Sequence, residues 1–174
     1  MGSSHSIATK KVASAVWALY QLKKIASQRT LRTVYHALIH SKLQYCISSW
    51  GAAAPSNLIK LTSLQKRAIR TICRAHYLAH TSGLFKRQKI LKLEDLYRLS
   101  VAVVVSRYKH GRWQGNFSPT SAADTHSHGT RSATSGNFYL PRAFNEVFER
   151  SLSYRGPSVW AAVPNHLKTL DTPV

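Results

Sequence analysis

For its first 93 residues this chain contains no aspartate or glutamate; sixteen Lys and Arg precede Glu94, the first acid. Residues 94–174 hold nine basic and six acidic residues, and the formal net charge of the 174 residues is +19. Whatever the front half folds into, it has no internal carboxylates to pair with its cations. Such a field repels itself in the free protein and favours a polyanion. Nucleic acid is the leading candidate. An anionic membrane surface fits less well, because the cations are mixed into helix-like segments rather than bunched in one tail. The bland alternative is a solvated basic surface.

The chain is long enough to bury about 70% of its unfolded surface, and a hydrophobic share of 44% suits a globular protein. No apolar run approaches the roughly 18 residues of a membrane span; the longest, "VAVVV", covers 101–105. With Cys46 and Cys73 alone, a disulfide framework is not expected and a reducing compartment is. The N-terminus lacks the apolar stretch of a signal peptide. The expected location is intracellular, nuclear or cytoplasmic, without secretion or membrane attachment.

Periodicity predicts helices. After a tail over residues 1–7, residues 8–27 repeat Val12, Val16, Leu19 and Tyr20 at helical spacing. Residues 29–50, including "LRTVYHALIHSKLQYCISSWG", predict a second helix. On a wheel of about 100° per residue, Leu31, Val34, Tyr35, Leu38 and Tyr45 share one face, and Arg29, Arg32, His36 and His40 form a stripe on another. Beyond Lys42 the apolar set shifts to Leu43, Cys46, Ile47 and Trp50, so that end is expected to be buried on more than one side. Gly51 and Pro55 mark a stop and a new start. Over residues 56–75, Leu58, Leu61, Gln65, Ala68, Ile69 and Ile72 occupy one arc; Lys66, Arg67, Arg70 and Arg74 occupy another. "LFKRQKI", residues 84–90, predicts a short helix or turn carrying Lys86, Arg87 and Lys89. Residues 92–109 predict a further long helix.

Residues 111–137 are rich in Gly, Ser, Thr and His and predict a polar linker. In 138–174, "NFYLPR" and "SLSYRGPSVWAAV" suit short strands with Gly156-Pro157 as a kink, and "PNHLKTL" suits a helical turn after Pro164. Tyr154 and Trp160 are candidates for stacking on bases, but they alternate with apolar rather than basic residues. A small β core of Phe138, Tyr139, Phe144, Phe148 and Trp160 is the favoured reading.

The histidine pairs His36/His40 and His76/His80, with Cys73 before the second, have the i, i+4 spacing of metal ligands. A closed zinc site needs four ligands, no CxxC is present, and Tyr77 and Leu78 interrupt the second pair as core residues do. No metal and no cofactor are expected. Two-metal phosphoryl transfer needs clustered carboxylates, whereas the six acids are scattered: Glu94, Asp95, Asp124, Glu146, Glu149 and Asp171. Neither a GxxxxGK[ST] phosphate loop nor a GxSxG elbow occurs. The chain alone is not expected to be an enzyme.

The order of "KKVASAVWALYQLKK", "LRTVYHALIHSKLQYCISSWG", "LTSLQKRAIRTICRAHYLAHTSGLFKRQKILKLEDLYRL", "TRS" and "SLSYRGPSVWAAVP" resembles the reverse transcriptases of non-LTR retrotransposons. The likeness falls in the portion that follows the catalytic palm, covering the thumb and connecting region, and runs from about residue 5 to about 170. Members of that family are RNA-directed DNA polymerases with paired aspartates in the palm and often an endonuclease domain. No "DD" occurs here, so the resemblance implies no catalytic residue. It implies the task of the thumb, gripping a template–primer duplex by its backbone, with a catalytic reverse transcriptase segment as a further partner. The cysteine/histidine knuckle that some members carry is absent.

The expected architecture is mainly α: a bundle of about four helices over residues 8–110, then the linker, then a small α+β extension over 138–174. The expected function is binding of RNA, DNA or hybrid duplex, mainly through phosphates, by Arg29, Arg32, His36, His40, Lys66, Arg67, Arg70, Arg74, Lys86, Arg87 and Lys89. The alternative is a helical protein-interaction module derived from a retroelement.

Overall fold

The computed structural model describes residues 2–125 and 129–169, with side chains from Thr9 onward. Asp171 and the rest of 170–174 lie outside the described residues. The chain forms two compact units, Met1–Tyr97 and Arg98–Val174. The elements, in order, are α1 (Gly2–Leu22), α2 (Gln28–Tyr35), a π-helical turn (His36–His40), α3 (Ser41–Gln44), α4 (Ile47–Trp50), α5 (Pro55–Ile72), α6 (Ser82–Gln88), α7 (Leu93–Lys109), α8 (Ala122–Thr125), α9 (Arg131–Thr134), α10 (Glu146–Glu149), α11 (Leu152–Ala161) and α12 (Asn165–Lys168). The division between the units falls within α7. The mainly α expectation holds, and three of the four long helices expected before residue 110 are present as α1, α5 and α7, whereas the one expected over 29–50 is divided into shorter elements; α1 begins inside the segment read as a tail.

In the first unit α1 packs chiefly on α5, and α2, the π turn and α3 also lie against α1. Its core is built from Val12, Val16 and Leu19 of α1, Leu61, Ala68, Ile69 and Ile72 of α5, and Leu93, Leu96 and Tyr97 of α7. Between α1 and α5 the buried residues are Leu31, Tyr35, Ile39, Leu43 and Ile47. They recur every four residues. A regular α-helix advances about 100° per residue, so a strict four-residue repeat drifts by about 40° at each step and leaves the core. The chain absorbs the drift in two places. The π turn, with its wider i→i+5 bonding, carries His36–His40. Cys46 then takes a left-handed conformation with φ 50° between α3 and α4. One uninterrupted helix over 29–50 is therefore corrected, and so is its apolar face. Leu38 and Tyr45 are exposed, Cys46 is exposed, and Ile39 is buried.

The glycine after α4 is fixed by packing. A Cβ on Gly51 would stand 2.5 Å from the Tyr97 ring, so the close approach of this turn to α7 needs a residue without a side chain. Pro55 follows at the first position of α5, where its missing N–H costs nothing. The first acids of the chain, Glu94 and Asp95, fall in the first turn of α7, where negative charge complements the helix dipole.

The second unit contains no β-strand among the described residues; Ser121 and Phe138 form an isolated antiparallel bridge. The expected α+β extension is thus corrected. "SLSYRGPSVWAAV" forms α11. Ser151 caps it by accepting a hydrogen bond from the Tyr154 N–H, and Pro157, with φ already suited to a helix, loses one intrahelical bond. Gly156 and Pro157 are both buried inside the helix. A Cβ on Gly156 would lie 2.7 Å from the Phe117 ring, so this glycine serves close packing rather than a kink. Phe117 and Ala122, from the stretch read as a polar linker, are core residues with Val101, Val105 and Trp160. Tyr108 meets Phe117 and Phe138 edge-on, at 5.5 and 5.8 Å between centroids. Trp160 is buried beside Phe138 and donates its indole N–H to the Gly136 carbonyl at 3.2 Å. Phe138 and Trp160 thus belong to one cluster, whereas Phe144 is 84% exposed and pairs with Phe148 instead. The helical turn after Pro164 is present as α12.

Candidate nucleic-acid interface

The basic arc of α5 is real, but its four members do different things. Lys66 and Arg67 are exposed, and among the described residues neither side chain makes a hydrogen bond or ion pair. Arg70 is half-buried and donates its Nε–H to the Ala79 carbonyl at 2.9 Å, which ties the 73–81 loop to α5. Arg74 has φ 52° and donates from Nη2 to the Ala26 carbonyl at 3.0 Å, joining the ends of α1 and α5. Carbonyls thus take the place of the absent carboxylates. Lys42 does the same with the Lys11 carbonyl at 3.3 Å.

On α2, Arg29 and Arg32 are exposed. His36 and His40 continue that stripe into the π turn, but they are half-buried, their rings 5.1 Å apart and packed beside Tyr35. Burial lowers the pKa of His36, aided by the Arg32 charge; burial lowers that of His40, aided by His36. Both rings are therefore biased towards the neutral form. The Nδ1 of His40 is buried without a hydrogen-bond partner among the described residues.

Lys86, Arg87 and Lys89 are exposed on α6 and at its left-handed end, where Lys89 has φ 53°. Lys86 and Lys89 line one hollow of about 390 Å³ together with Lys92 and Asp95. Arg67 and Arg70 line a different hollow of about 710 Å³, between α1, α5 and the 73–81 loop. Its other walls include Tyr20, Lys23, His76 and Tyr77. Sequence reasoning missed Lys23 here and misassigned the tyrosines. Tyr20 is 48% exposed and Tyr77 72% exposed, and Leu78 is exposed too, so the reading of Tyr77 and Leu78 as core residues is corrected. The available signal was the run "YQLKK", which puts an aromatic and two lysines within one turn of helix end.

Among the described residues no three His, Cys, Asp or Glu side chains gather as metal ligands. His76 spends its Nδ1 accepting the Leu78 N–H at 3.3 Å. No helix among the described residues is long and apolar enough to cross a membrane. Comparison with family models, curated proteins and solved structures found no match.

Proposed function

We propose that the Met1–Tyr97 unit binds nucleic acid through its phosphates, as a non-catalytic module of the kind that follows the palm in a retrotransposon reverse transcriptase. The observation that carries this reading is the acid-free run of 93 residues with Arg29, Arg32, Lys66, Arg67, Lys86, Arg87 and Lys89 all turned to solvent. Cations held on a folded surface without carboxylate partners gain most from a polyanion, because each phosphate contact releases condensed counterions. The scattered acids give no basis for phosphoryl-transfer chemistry, so the module acts by gripping. Its setting is nuclear or cytoplasmic, and a separate catalytic segment is its natural companion. A helical interaction module is the second reading, favoured by an apolar hollow of about 350 Å³ lined by Leu58, Ile59, Leu93 and Tyr97.

The test is binding of labelled DNA duplex, RNA–DNA hybrid and single strand over a salt series. On duplex DNA, log K should fall with log salt by about 0.9 per phosphate contacted. Lys66→Gln with Arg67→Gln should weaken binding of unrelated sequences alike and reduce the slope by about 1–2 units, one per lost contact. A flat salt response would leave the face merely solvated and move the interaction module ahead.

A further inference from the structure

Large aromatic side chains reach water in this unit next to its cations. Trp17 and Tyr20 are 65% and 48% exposed. They lie three residues apart on α1 and are therefore neighbours on its surface. One turn further on, Lys23 joins Tyr20 in the hollow between α1, α5 and the 73–81 loop. Tyr77 projects from that loop with 72% of its surface exposed, its ring 4.5 Å from the His76 ring. The loop is held in place by the bond from Arg70 to Ala79, and Arg67 lies on the α5 wall with no partner among the described residues. Burial accounts for none of these rings, since each keeps much of its area in water. A duplex backbone has no use for them either: its bases are stacked inside the helix, and its phosphates ask only for cations.

From this juxtaposition we infer that the hollow seats an unpaired nucleotide of a single strand, its base stacked on Tyr20 or Tyr77 and its phosphates on Lys23 and Arg67. The inference rests on the nucleic-acid reading above and names the ligand of one part of that surface. Three features support it. The volume of about 710 Å³ lies within the usual range for ligand pockets. The walls combine aromatic faces with cations, the pairing that single-strand grooves use, and stacking tolerates any base because every base has a π-face. The His76 ring, whose Nδ1 accepts the Leu78 N–H, forms part of the same wall and adds a further polar edge. Trp17 extends the platform along α1 towards the next base.

The full chain, Tyr20→Leu with Tyr77→Leu, and Lys66→Gln with Arg67→Gln are titrated with a labelled single strand and a blunt duplex of equal length. DNA and RNA versions of the strand show which sugar is preferred. The tyrosine variant should lose about tenfold or more of its single-strand affinity while keeping its duplex affinity and salt slope. A 2-aminopurine in the strand should be quenched by the parent and less so by the variant. Equal single-strand affinity in parent and tyrosine variant overturns the inference while the salt slope of the parent still supports phosphate binding. No salt-dependent binding of either nucleic acid by the parent overturns both. Independently of any variant, photocrosslinking of an iodouracil-containing strand to the parent should map to Tyr20, Tyr77 or Trp17; crosslinks confined to other residues overturn the inference.

Discussion

At the scale of single residues, Gln65 is the most consequential side chain of the first unit. It is almost fully buried on α5, in an arc that is otherwise apolar. Its amide nitrogen donates to the Tyr35 hydroxyl at 3.0 Å and to the Leu91 carbonyl at 2.9 Å, and its carbonyl oxygen accepts the Leu93 N–H at 3.0 Å. One amide thus joins α2, α5 and the start of α7 by three hydrogen bonds. Leucine at this position keeps the volume and strands those groups. Gln65→Leu should therefore lower stability by about 2–4 kcal/mol, read from the urea midpoint, because each buried group left unsatisfied costs about 1–3 kcal/mol. Tyr35 carries a second test. Burial pushes its pKa up to about 12, opposed by the hydrogen bond from Gln65. The folded state thus holds the phenol proton more tightly than the unfolded chain, whose value lies near 10. The stability this confers is whole below about pH 10 and disappears as pH rises towards about 12. Melting curves from pH 9 to 12 should fall less steeply in Tyr35→Phe than in the parent. Parallel curves would mean that the phenol is accessible.

At the scale of elements, two departures from regular structure share a cause: the packing partner decides the local geometry. The π turn at His36–His40 is explained by the four-residue repeat of Leu31, Tyr35, Ile39 and Leu43. That repeat was present in the sequence, but a wheel drawn at the α period assigns its later members to the wrong side. In α11 the decisive contact is long-range. Gly156 faces Phe117 and also Val105, whose side chain would lie 3.3 Å from an added Cβ. Gly156→Ala improves intrinsic helix propensity by up to about 1 kcal/mol yet drives a methyl group into an aromatic ring. The packing term should win, with a net loss of about 1–2 kcal/mol for the second unit, visible as a lower melting temperature. A gain in stability would show that Phe117 can move aside.

At the scale of the whole molecule, charge sets the stability response to salt. Ordinary surface ion pairs weaken as salt screens them. In a chain with 25 basic and 6 acidic residues, the dominant long-range term is repulsion, and screening relieves it. Raising sodium chloride from about 0.05 to 0.5 M shortens the screening length several-fold. The melting temperature of the free protein should rise by several degrees, and an excess of short duplex at low salt should raise it too. A melting temperature that falls with salt would mean that the few attractive pairs, such as Glu146–Arg150, outweigh the repulsion. Sequence alone determined the helical class, the long helices α1, α5 and α7, the acid-free basic character of the front half and most of the exposed cations, because amphipathic period and net charge are local or additive properties. It did not reveal that Arg70 and Arg74 are spent on the Ala79 and Ala26 carbonyls, that Tyr20 and Tyr77 face water beside Lys23, or that "SYRGPSVW" is a helix. Those outcomes depend on which groups the fold brings together across many positions of the chain, and tertiary packing alone makes that choice.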